Sequence, residues 1–162
     1  MSNSEELEFV YKLLNEYRLE EALQKVKDIE QKENSTIEET LKTLTYKIWS
    51  YWGLGQLELA FKLTEDLYQK SQKMEKPLYM LDALFFKDWI FYGLGGELEE
   101  FYKNLEDHER LFNSIPREES VEFQEREAYL LMMKGARAHY KYQKYNLADT
   151  RSKYRYWNAF EN

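Results

Sequence analysis

Lys47-Ile48-Trp49-Ser50-Tyr51-Trp52-Gly53-Leu54-Gly55 returns as Lys87-Asp88-Trp89-Ile90-Phe91-Tyr92-Gly93-Leu94-Gly95, displaced by 40 residues with Lys, Trp, Gly, Leu and Gly in register. A period of roughly 20 to 50 residues marks an architecture built by stacking one supersecondary unit on the next. Working outward from the two copies, each is preceded and followed by an amphipathic segment. Leu41, Leu44, Ile48 and Tyr51 lead into Gly53-Leu54-Gly55, and Leu57, Ala60, Phe61, Thr64 and Leu67 follow it. Leu81, Leu84, Trp89 and Phe91 lead into Gly93-Leu94-Gly95, and Leu98, Phe101, Tyr102, Leu105 and Leu111 follow, with one residue inserted at Gly96-Glu97. Apolar residues at this spacing form one stripe on a helix, so the unit is a helical hairpin.

The same reading extends to both ends. Leu7, Val10, Tyr11 and Leu14 form a first stripe, and Leu19, Ala22, Leu23, Val26 and Ile29 a second. Ser35 followed by Glu38 has capping-box spacing, which predicts a helix start there. Pro77 and Pro116 separate units, because a proline suits a first helical turn and biases the residue before it away from helix. A long helix is predicted from about Glu118 to Tyr142, and a last one from Tyr145-Asn146-Leu147-Ala148 onward. The expected domain is a single one over 1–162, with hairpins at 4–33, 35–74, 77–113 and 117–160 and eight helices in all. Such units bury their apolar faces only by stacking, which predicts an all-α, right-handed solenoid; periodicity alone leaves a closed bundle open.

Composition narrows the function classes. Hydrophobic residues make up 43% and aromatic ones 17%, enough for a packed core, and only six Gly and two Pro interrupt the helical pattern. The chain has no Cys, which removes disulfides, thiol nucleophiles and Cys-rich metal sites. His108 and His139 are 31 residues apart with no helical ligand spacing, so no metal and no cofactor is expected. Gly53-Leu54-Gly55 and Gly93-Leu94-Gly95-Gly96 join helices and read as helix ends rather than phosphate loops. No nucleophile, base and orienting group come together in the pattern, so no enzyme is expected. The polar, acidic start lacks a signal-peptide pattern, and Leu78 to Gly96, the most apolar run, carries Asp82, Lys87 and Asp88, too many charges for a membrane span. A cytoplasmic address follows as the expectation. Net charge is −7, which argues against nucleic acid, although Lys134, Arg137, Lys141, Lys144, Arg151, Lys153 and Arg155 make the C-terminal part basic. Asp88 replaces an apolar residue of the repeat at a position facing another helix, where a lone carboxylate calls for a Lys, Arg or Tyr hydroxyl beside it.

Three inter-helix turns carry a family resemblance. Tyr17-Arg18-Leu19-Glu20-Glu21-Ala22-Leu23, Gly55-Gln56-Leu57-Glu58-Leu59-Ala60-Phe61 and Gln143-Lys144-Tyr145-Asn146-Leu147-Ala148 resemble the Gly-x-Tyr-x-x-Ala turn of tetratricopeptide repeats, in which the Ala permits two helices to cross closely. The chain departs from that pattern at Phe101, which stands where Ala is expected, and at Val10, Ile48 and Asp88, which replace a small residue on the first helix of the pair. The resemblance implies a non-enzymatic scaffold or peptide receptor, with the first helix of each pair lining a concave groove. Projected here, it places Tyr11, Thr45, Trp49, Trp52, Phe85, Trp89, Tyr92, Met133, Arg137 and Tyr140 toward a groove that holds a segment of another protein. The alternative is a structural homo-oligomer. Leu147, Tyr154 and Trp157 form an apolar stripe on the last predicted helix that would meet a second copy or a partner.

Overall fold

In the computed structural model the chain is described over residues 2–32 and 35–158, without the side chains of Tyr92, Leu98, Tyr140 and residues 143–158. The described residues form seven α-helices and no strand: α1 Asn3–Asn15, α2 Leu19–Glu30, α3 Ile37–Gly53, α4 Leu57–Lys73, α5 Pro77–Gly93, α6 Leu98–Ser114 and α7 Val121–Asn158. Seven helices replace the eight expected, because α7 is one helix of 38 residues and runs through the turn predicted near Tyr145. Gln143-Lys144-Tyr145-Asn146 contains neither Gly nor Pro, and nothing local stops the helix there. The capping box is displaced by one residue from the expected Ser35–Glu38. Thr36 Oγ1 accepts from the Glu39 N–H (3.1 Å) and the Glu39 carboxylate accepts from the Thr36 N–H (2.8 Å). Ser2 and Glu5 form a second box at the start of α1.

The ends of α1, α3, α4 and α5 share one geometry. The N–H groups of Arg18, Gln56, Lys76 and Gly96 donate back to the carbonyls of Leu13, Tyr51, Ser71 and Phe91, so each helix closes with a Schellman-type turn. That turn needs one left-handed residue, which is Tyr17 (φ 57°), Gly55 (φ 74°), Glu75 (φ 54°) and Gly95 (φ 81°) in turn. A Cβ at Gly55 would meet nothing within 4 Å, so only the backbone matters there. Gly55→Ala is therefore expected to cost about 1 kcal/mol in chemical denaturation; an unchanged midpoint would mean that the turn relaxes freely. Gly53 has a different constraint. A Cβ there would lie 2.6 Å from Leu19 Cδ1, and at Gly93 3.3 Å from Leu57 Cδ1. The repeated Gly thus lets the end of α3 approach the start of α2, and the end of α5 the start of α4.

Packing follows chain order. Each helix packs on the next, and α1 on α3, α3 on α5 and α5 on α7; among the described residues no other pair of helices packs. Ala22 and Ala60, the small residues expected at close crossings, are fully buried, and Phe101 fills the corresponding place in α6; Ala148 lies outside the described side chains. α5 is apolar nearly all round and lies against α3, α4, α6 and α7. Its Leu81, Phe86 and Ile90 are buried; Phe86 and Ile90 belong to a core with Leu41, Ile48, Leu67, Phe101, Leu105 and Met133, and a second cluster under α1 and α2, which includes Tyr46, is joined to it through Trp49. No helix among the described residues is long and apolar enough to cross a membrane.

Candidate functional site

The odd-numbered helices share a cleft of about 250 Å3. α1 contributes Glu8 and Tyr11; α3 contributes Glu38, Lys42, Thr45, Tyr46 and Trp49; α5 contributes Tyr79, Asp82 and Phe86; α7 contributes Val121, Glu122, Glu125, Arg126 and Tyr129. The spacings explain why these residues meet. Positions 38, 42, 45, 46 and 49, positions 79, 82 and 86, and positions 122, 125, 126 and 129 each mark one helical stripe.

The rings form a continuous wall. Tyr11 lies 6.0 Å from Tyr46 and edge-on to Trp49 at 6.2 Å, Trp49 lies 6.4 Å from Phe86, and Phe85 behind them stacks on Tyr129 at 4.4 Å with planes 16° apart. Such pairs add roughly 0.5–1.5 kcal/mol each beyond the area they bury. Tyr11 is the exposed ring of the set, at 42%. At the floor, Arg126 Nη2 donates to Asp82 Oδ2 at 2.5 Å, with both side chains buried. The guanidinium also lies over the Tyr79 ring, 5.8 Å from its centre, and donates through Nη1 to the Glu122 carbonyl at 3.1 Å. The Tyr79 hydroxyl donates to Glu38 at 2.6 Å, and Lys76 pairs with Glu38 at 3.6 Å. This network ties α3, α5 and α7 together.

Burial and charge act together on the groups in the cleft. Burial pushes the Asp82 carboxyl above its ordinary range against the pull of Arg126. Burial, then the neighbouring Asp82 and Glu125, pushes the Tyr129 phenol up to about 12. Tyr46 and Tyr79 are also raised, again chiefly by burial, with Tyr11, then Glu125 and Asp82 acting on Tyr46 and Glu38 and Asp82 on Tyr79. All three phenols are neutral donors at neutral pH.

Three of the expected groove residues line this cleft: Tyr11, Thr45 and Trp49. Thr45 is buried and its hydroxyl donates to the Leu41 carbonyl, so it contributes shape rather than a free polar group. Trp52 packs edge-on to Phe86 at 5.7 Å outside the cleft, and Trp89 packs on Phe85 at 6.5 Å with its indole N–H buried without an acceptor. Phe85 and Met133 are buried in the core instead of lining a groove. Arg137 faces α6, 5.1 Å from the Tyr102 ring and 4.0 Å from Glu106. Tyr92, Tyr140, Leu147, Tyr154 and Trp157 lie outside the described side chains. Sequence reasoning missed Tyr79, Asp82, Phe86, Arg126 and Tyr129. The available signal was Asp82 itself, a charge inside the most apolar helix, three residues after Tyr79 and four before Phe86.

Asp88 corrects a second expectation. Among the described residues neither carboxylate oxygen has a hydrogen-bond partner, and no Lys, Arg or Tyr hydroxyl is bonded to it. Burial pushes it up to about 8; the Asn104 side chain, close by but outside hydrogen-bond geometry, and the charge of Lys87 oppose the shift. His108 is likewise fully buried with both ring nitrogens unpartnered among the described residues, and burial lowers it to about 4. A wider hollow of about 550 Å3 between α4, α5 and α6 is lined by Lys87, Asn104, Asp107 and Arg110, with Tyr68 as its one ring. No group of His, Cys, Asp and Glu that could hold a metal occurs among the described residues. No protein-family model, no curated protein and no solved structure matches this chain.

Proposed function

We propose that this chain is a tetratricopeptide-like α-solenoid of antiparallel helix pairs that holds a segment of another polypeptide in the cleft between its odd-numbered helices, without catalysis. The observation that carries the reading is that α1, α3, α5 and α7 pack in succession and all four line one cavity. A closed bundle would bring distant helices together, whereas among the described residues the contacts never skip more than one helix. Rigid rings with polar tips bury much area at little entropic cost, which suits a docking surface.

Tyr11 gives the cleanest test, since it is exposed and leaves the core undisturbed. Short peptides selected from a random display library on the full chain should bind Tyr11→Ala about tenfold more weakly, while the variant still unfolds cooperatively with a melting temperature only a few degrees lower, the loss of its two ring contacts. Selected peptides that bind both forms alike would place docking elsewhere.

Self-association through the end of α7 is the second reading, and the length of α7 favours it. Lys134, Arg137 and Lys141 meet Glu109, Glu106 and Tyr102 in descending order, which pairs α7 antiparallel to the 17-residue α6. Continued in that register, α7 passes the start of α6 at residue 145 and runs on to Asn158, about 20 Å further. Leu147, Tyr154 and Trp157 belong to that overhang. A clean monomer in concentrated sedimentation runs would remove this reading.

A further inference from the structure

The cleft has a charge as well as a shape. Five carboxylates line it, Glu8, Glu38, Asp82, Glu122 and Glu125, against two cations, Lys42 and Arg126. Arg126 is already engaged by Asp82, with Glu125 at 3.4 Å. Glu8 and Glu122 are exposed and their side chains have no ionic or hydrogen-bonded partner among the described residues, so the excess negative charge faces the opening. Carboxylates beside aromatic faces are the surroundings in which a cation is attracted twice, by charge and by the ring quadrupole.

The molecule already shows this chemistry once. The Arg126 guanidinium lies over Tyr79 and against Asp82, while its Nε–H is buried without an acceptor at the floor of the same cleft.

We propose that the cleft selects a basic segment, seating an arginine or lysine side chain of the partner against Tyr11 and Trp49 within the field of Glu8 and Glu122. This rests on the docking function proposed above and names the partner's chemistry. The raised phenols agree with it, since burial is their main cause and the carboxylates of the cleft add to it.

The probe is the best-binding peptide recovered from the random library. Its arginine is replaced by citrulline, which keeps the shape and removes the charge, or its lysine by norleucine. The expected result is a recovered set rich in Arg or Lys, about tenfold weaker binding on neutralisation, and affinity that falls with salt. Glu8→Gln with Glu122→Gln should weaken binding about three- to tenfold and flatten the salt dependence, with folding unchanged because neither carboxylate has a partner among the described residues. Peptides whose binding needs Tyr11 but is insensitive to citrulline or norleucine would overturn the basic-segment proposal and leave the docking function standing. If no peptide depends on Tyr11, both fall. A chain that sediments as a dimer dissociated by the double Gln variant would put its own basic C-terminal stretch in the cleft and overturn the separate partner.

Discussion

Arg126→Met is expected to cost about 3–5 kcal/mol in urea unfolding, lowering the melting temperature by roughly 10 °C. The guanidinium and Asp82 are both buried, 9% and 2% exposed, and they connect α7 to α5. Removing the cation strands a carboxylate among Phe85, Phe86 and Tyr79, where ionisation has no compensation and protonation occurs at the expense of folding. Its ring partner Tyr79 loses a cation at the same time. The double variant Asp82→Asn with Arg126→Met should recover most of the loss, because a buried ion pair is worth little over a neutral pair although breaking it is expensive. If Arg126→Met alone unfolds within about 0.5 kcal/mol of the parent, the pair is solvated in solution and the floor of the cleft is open.

Asp88 supplies the second large effect, and its sign can be worked out. The folded value near 8 lies above the ordinary 3.8, so between those values the folded state holds a proton that the unfolded state releases. Stability from this group is therefore present at low pH and is lost as pH rises through about 8. His108 acts oppositely: its folded value near 4 lies below 6.5, so the unfolded state binds the extra proton and stability is lost as pH falls through that window. Between pH 4 and 6.5 the slopes of these two groups oppose each other, one proton each way, and above 6.5 that of Asp88 is no longer offset by His108. The combined contribution of Asp88 and His108 to stability is expected to be nearly level between pH 4 and 6.5 and to fall above it, by on the order of a few kcal/mol by pH 8.5. Asp88→Asn, which cannot ionise, should remove this loss: it should already be more stable than the parent at pH 6, by on the order of a few kcal/mol, and the two should converge only towards the ordinary value of 3.8. An unaltered decline in that variant would mean that Asp88 ionises in contact with water.

Helix type and most helix ends were legible because their causes are local. Pro77 opens α5, Gly55 and Gly95 supply the left-handed residue after α3 and α5, and Ala22 and Ala60 mark tight crossings. The turn read after Tyr142 failed for the converse reason: it leaned on the likeness of Gln143–Ala148 to the other turns, but no Gly or Pro there breaks α7. The cleft was half legible. Tyr11, Thr45 and Trp49 were found, but on α5 the stripe Phe85, Trp89 and Tyr92 was chosen and Tyr79, Asp82 and Phe86 line the cavity. Those stripes differ by about one residue, some 100° of rotation, and α5 is apolar on nearly every side, so periodicity could not say which side is solvent-facing.

By itself, then, the sequence determined an all-helical chain with a 40-residue repeat and the positions of most of its breaks, since hydrogen bonding, φ preference and apolar spacing act within a few residues. Only the tertiary structure decided how far each helix is rotated against its neighbours. Rotation brought Asp82 to Arg126 across 44 residues, gathered five carboxylates around one set of rings, and left Asp88 without a partner. Its cause is the fit of whole side-chain surfaces between elements distant in the chain, which no local pattern encodes.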